Sequence, residues 1–154
     1  MDPISKDVAL KFCEVCDWVY QSWVTRKLLF DDNNNYKTNI GRAAEFANRL
    51  GHITQEYCLL QLAKLHDPAI QGRSLNLTID YMVRYGEWGD RKAEIERINS
   101  ELLVLWKCLK PARNKTLAHN DMEALMAGAP IGSFDEGADD AYFVALQDLV
   151  NEVH

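Results

Sequence analysis

Between Leu102 and Asn120 the chain carries Lys107, Lys110, Arg113 and Lys115 with no acidic side chain among them, and the stretch includes His119. These residue types suit work on a phosphodiester. A guanidinium is always charged and can hold two phosphate oxygens at once, which an ammonium does less well. An imidazole can take or give a proton near neutral pH. Asn114, beside Arg113, can orient His119 or donate to a phosphate. Asp121, two positions past His119, either favours the protonated ring or caps the next turn. On charge alone the blander reading is preferred, in which these cations form a solvated helix end opposing the terminal carbonyls.

The surrounding composition makes the patch distinctive. The chain has 154 residues, 47% of them hydrophobic, enough to line one core, so a single domain over 1–154 is expected. Its 17 Lys and Arg stand against 23 Asp and Glu, a formal charge of −6. A surface of that sign repels nucleic acid as a whole, so any contact with it must be local. No apolar run approaches the roughly 20 residues that cross a bilayer, and Met1-Asp2-Pro3 does not begin a basic-then-apolar leader. A cytoplasmic protein without membrane contact is expected, with its four cysteines as free thiols.

Other chemistry-bearing residues read as structural. Cys13 and Cys16 have metal-site spacing, but a structural zinc needs four ligands and no second close pair of Cys or His exists. His52 and His66 are isolated, with His66 placed to cap or pack near Asp67. No metal and no cofactor are expected. Trp18, Trp23 and Trp88 read as core or interface anchors. Trp106, one turn before Lys110, is the indole considered for stacking on a base. Glu56 reads as a solvated carboxylate.

The elements that must carry the basic segment are helical. Asp2-Pro3 looks like a helix start. Val8, Phe12, Val15, Val19 and Trp23 then recur on one face, with Ala9, Cys13, Cys16 and Tyr20 widening it, until the polar run Asp31 to Asn35. A second helix runs from Ile40 to Leu65 and stops at His66-Asp67-Pro68. A short third is expected to start near Asn76 and end at Gly86, with Trp88 in the following turn. A fourth starts at Asp90 and repeats Ile95, Ile98, Leu102, Leu105 and Leu109, with Pro111 expected to interrupt it. Glycine- and acid-rich residues 124–139 are expected to be a mobile loop. A last helix carries Phe143, Leu146, Val150 and Val153. No segment alternates as a strand does. The expectation is an all-α antiparallel bundle of four to six helices.

Arg113-Asn114-Lys115-Thr116-Leu117-Ala118-His119 resembles the signature of the HEPN superfamily, an Arg and a His separated by a short run with a polar residue after the Arg. Asn120-Asp121, the segment Leu62 to Asp67 and Ser74 to Leu77 are similar to its abortive-infection, AbiU-like branch, a resemblance spanning roughly residues 36 to 121. It implies an HEPN-like fold and metal-independent endoribonuclease chemistry at a composite cleft between two protomers, in a toxin or phage-defence effector with an antitoxin-like partner. Some members are instead silent dimerisation or nucleotide- and partner-binding modules. The implied catalytic set is Arg113, Asn114 and His119, with Lys107, Lys110, Lys115, Trp106 and Asp121 on the RNA. Members with a Tyr two positions after the His differ from this chain, which has Asp121 there. In a straight α-helix six positions turn a side chain by about 600°, which leaves Arg113 and His119 on different faces. Either the backbone bends near Pro111 or two copies share the site.

Overall fold

Ser5 rather than Asp2 caps the first helix, its Oγ accepting from the Val8 N–H at 3.3 Å. The computed structural model describes residues 4–31, 43–117, 122–127 and 133–154, and Asp2 and Pro3 lie outside them. Helix α1 (Lys6–Arg26) buries Ala9, Phe12, Cys16, Val19 and Trp23. Tyr20, expected on that face, is 45% exposed. A π turn over Lys27–Asp31 ends the segment.

Helix α2 (Ala44–Leu65) packs on α1 and brings Cys58, Leu62, Ala63 and Leu65 into the core. Past Pro68 the chain makes a two-residue antiparallel hairpin, β1 (Ile70–Gln71) with β2 (Ser74–Leu75). Gly72 turns it at φ +62°, a conformation that side chains with a Cβ rarely adopt. Helix α3 (Ile79–Tyr85) starts from Thr78, whose hydroxyl accepts from the Tyr81 N–H at 3.2 Å. The expected cap, Asn76, is used in the hairpin: its side chain donates to the Pro68 carbonyl and its N–H to that of Ala69. Gly86 closes α3 as expected. A Cβ there would lie 2.0 Å from the Trp88 indole, whose Nε1 donates to the Met82 carbonyl, so close approach requires the glycine.

After a 3₁₀ turn (Gly89–Arg91), helix α4 (Lys92–Ala112) buries Ile95, Ile98, Leu102, Leu105 and Leu109, the expected stripe, together with Trp106 and Ala112. It continues through Pro111, which corrects the expected stop there. Proline supplies no N–H and crowds the carbonyl four residues back, costs that usually bend a helix. Two residues later the backbone passes into a π turn over Arg113–Leu117. The Arg113 N–H is shared between the Leu109 and Lys110 carbonyls.

Residues 122–127 form a short helix, α5 (Met122–Ala127), so 124–127 are helical where the loop over 124–139 was expected, as are 138–139 at the start of the last helix; residues 128–132 lie outside the described set. Helix α6 (Ala138–Val153) covers α4 and α1 with Phe143, Leu146 and Val153, joined by Tyr142, Ala145 and Leu149. Its first turn is tied to the end of α1: the Trp23 indole donates to Asp139 at 3.1 Å, and Lys27 reaches Asp140 at 3.0 Å. The protein is an all-α helical bundle around one core. Among the described residues, no helix is long and apolar enough to cross a membrane.

Candidate functional site

Two neighbouring residues at the C-terminal end of α2 grip α4 at two points. The His66 ring stacks on Trp106, with centroids 4.9 Å apart and planes 7° from parallel. Asp67 accepts from Arg113, Oδ1 to Nη2, at 3.2 Å. Trp106 and Arg113 are seven positions apart, about two α-helical turns, and so lie on one face. The amphipathic pattern of α4 therefore sets Arg113 against the end of α2.

The anchor is fixed from both sides. The His66 N–H is bonded to the Ala63 carbonyl, and Pro68 restricts the backbone of Asp67 towards extended geometry. The Ala69 N–H donates to the Asp80 carboxylate at 2.9 Å, and Asn76 closes on Pro68 and Ala69. The His66 Nε2 lies 2.9 Å from the Tyr142 hydroxyl of α6, which is buried. Removal from water lowers the His66 pKa to about 4, so the ring is neutral at pH 7. Burial likewise pushes the Tyr142 phenol well above its usual range, with a smaller push from Cys16.

Arg113 opens the π turn, its side chain 34% exposed. Besides Asp67 it donates from Nη1 to the Asn114 Oδ1 at 3.1 Å. Two acceptors thus orient the guanidinium, while Asn114 turns its amide nitrogen away from it. Of the five N–H donors of a guanidinium, the rest stay available to an anion. Lys107, Lys110, Asn114 and Lys115 are exposed. None of these lysines makes an ion pair among the described residues. Four cations therefore share one end of α4 and its π turn, and Asp67 pairs with one of them, Arg113.

Trp106 differs from expectation. It is 8% exposed with one face on His66, so it braces the core and offers no open face to a base. His119 and Asp121 lie outside the described residues. The change from α to π geometry begins at Arg113, so the angular argument for a straight helix does not extend past Ala112. Asp67 and Tyr142 were missed as partners of Arg113 and His66. Asp67 had one signal, its place in a segment that carried the resemblance, whereas Tyr142 had none.

The remaining candidates keep their structural reading. Cys16 is buried and Cys13 half-buried, and burial raises both thiol pKa values. Among the described residues, no three His, Cys, Asp or Glu side chains gather as a metal site requires. His52 and Glu56 are exposed, and the Trp18 indole donates to the Tyr57 hydroxyl at 2.9 Å. A groove of about 940 Å³ runs between α1 and α6, lined by Leu10, Tyr20, Phe143 and Val144 among others, and none of the described basic-segment residues borders it.

The model of one family, described as AbiU2 within the HEPN class, matches residues 9–154. No curated protein and no solved structure matches the chain.

Proposed function

Because the chain belongs to the AbiU2 family of HEPN domains, we propose that it is a metal-independent endoribonuclease acting as a homodimer. The observation that carries this reading is Arg113, a partly exposed guanidinium oriented by Asp67 and Asn114, amid lysines that make no ion pair among the described residues, on an otherwise acidic protein. Cleavage begins when a ribose 2′-oxygen attacks the adjacent phosphorus and loses its proton to one His119. Arg113, with Lys110 and Lys115 nearby, offsets the charge that builds on the phosphorane oxygens. The bond from phosphorus to the 5′-oxygen breaks, and that oxygen takes a proton from His119 of the partner subunit. The products are a 2′,3′-cyclic phosphate and a 5′-hydroxyl. In a cell such an activity suits a toxin or phage-defence effector restrained by an antitoxin-like partner.

A second observation supports the dimer. Phe46, Leu50, Ile53, Tyr57 and Leu60 recur on α2 at alternating spacings of four and three, the seam of a coiled coil. All five are exposed, Phe46 at 68% and Ile53 at 62%. Asp67, just past the C-terminal end of this helix, holds Arg113, so two α2 helices paired in parallel, with the two-fold axis running along them, would bring both π turns to one end. Ile53→Lys is expected to shift the sedimenting species from dimer to monomer and to lower cleavage about tenfold, by placing a charge in the seam. An unchanged dimer with this variant removes α2 as the interface.

The decisive assay uses labelled single-stranded RNA in EDTA, with His119→Ala purified in parallel as the contamination control. Wild type is expected to yield cyclic-phosphate ends. No cleavage under these conditions rejects the enzyme and leaves a dimerising HEPN module that binds a nucleotide or a partner protein.

A further inference from the structure

Asp67 contributes a negative charge where a polyanion is to bind, a placement that works against binding and needs a reason. A purely structural ion pair is one reason, but partly exposed pairs contribute little to stability. The surroundings of Asp67 suggest another. Its backbone is held by the end of α2, by Pro68, by the Asp80 bond to Ala69 and by both Asn76 contacts. Immediately before it, His66 is locked between Trp106 and Tyr142. A carboxylate on so rigid a mount presents a fixed acceptor to a long, otherwise mobile side chain.

We propose that Asp67 is a positioning residue, which aims the Arg113 guanidinium at the scissile phosphate through a single Oδ1 contact while leaving its other N–H groups for phosphate oxygens. The inference rests on the endoribonuclease reading. The single contact matters, since a two-point carboxylate pair would occupy the edge that a phosphate needs. Asn114, accepting from Nη1, fixes the rotation that one contact leaves open.

Positioning predicts opposite movements of two kinetic constants. Removing the carboxylate makes the patch more positive, so RNA binds as well or better, and KM stays level or falls. The released guanidinium samples other rotamers, so kcat falls, by about tenfold to a hundredfold, as for other supporting groups displaced by about an ångström. Asp67→Ala and Asp67→Asn should show this split with Tm close to wild type, and Asp67→Glu should recover part of kcat. Exchanging the two charges, Asp67→Arg with Arg113→Asp, should keep the fold and Tm while leaving cleavage lost.

The test combines steady-state cleavage of single-stranded RNA, thermal melting, and NMR of the Arg113 Nη2–H, the donor to Asp67, in the whole chain. A drop in kcat without a rise in KM, together with faster solvent exchange of that N–H in Asp67→Ala, is the expected result. An unchanged or increased kcat in Asp67→Ala overturns the proposal, as does a fall in kcat fully matched by loss of folded protein. If wild type cleaves no RNA, the nuclease reading fails on its own, and the NMR measurement then decides alone: an equally protected Nη2–H in Asp67→Ala overturns the positioning claim.

Discussion

Arg113→Ala is expected to lower kcat for RNA cleavage by about 10²- to 10³-fold, the range seen when one oriented donor to a developing oxyanion is removed. His119→Ala is expected to lose at least as much, since under the proposed mechanism it removes both the base and the acid. The fold should survive either change. Arg113 is 34% exposed and its partner Asp67 25%, so the broken pair leaves a carboxylate that water can reach, and Tm should move by only a few degrees. Arg113→Lys sharpens the prediction: it keeps the charge but not the planar fork, so it should bind RNA nearly as well and still fall at least about tenfold short in kcat. Rapid-quench turnover of the three variants beside wild type checks this. Equal turnover by Arg113→Lys and wild type would reduce Arg113 to a generic cation, and equal turnover by Arg113→Ala would remove it from the chemistry.

What the chain disclosed in advance follows the range over which each kind of order acts. Helical periodicity is local, and Ile95, Ile98, Leu102, Leu105 and Leu109 are buried on α4 as that periodicity requires. The same phase places Trp106 one turn past Leu102, on the buried side; reading it as a platform for a base gave weight to residue type over register. Pro111 was read by a sound rule, yet the α-helix runs through it to Ala112 and gives way to a π turn at Arg113, and nothing in the local pattern distinguishes a stop from a change of helix type. The hairpin at Ile70 to Leu75 has two residues per strand, too few for alternation to appear. Arg113 stood out because charge is visible in sequence, but its orientation depends on Asp67, 46 positions earlier, and the neutrality of His66 on its place between Trp106 and Tyr142, the latter 76 positions later. Such pairings arise from packing between helices, to which spacing within a helix is blind.

The contact between α2 and α6 carries a pH dependence. His66 is neutral in the folded protein with its pKa lowered to about 4, whereas an unfolded chain protonates it near 6.5. Between those values the unfolded state holds a proton that the folded state refuses, so stability is complete above about pH 6.5 and is lost as pH falls towards 4. The ring keeps some contact with solvent, so the loss should be about 2 to 3 kcal/mol rather than the full value of the shift. Protonation would also put a charge against the buried Tyr142 hydroxyl and the Trp106 face, at the mount that carries Asp67. Urea unfolding between pH 7 and 5, above the range in which most carboxylates titrate, isolates the effect. The reference is His66→Phe combined with Tyr142→Phe, which keeps a ring on Trp106 and leaves no orphaned hydroxyl. The double variant should lose most of the slope between pH 6.5 and 5 whatever its absolute stability. Parallel pH profiles in the two proteins would show that His66 does not resist its proton in the folded state and that acid weakens the molecule elsewhere.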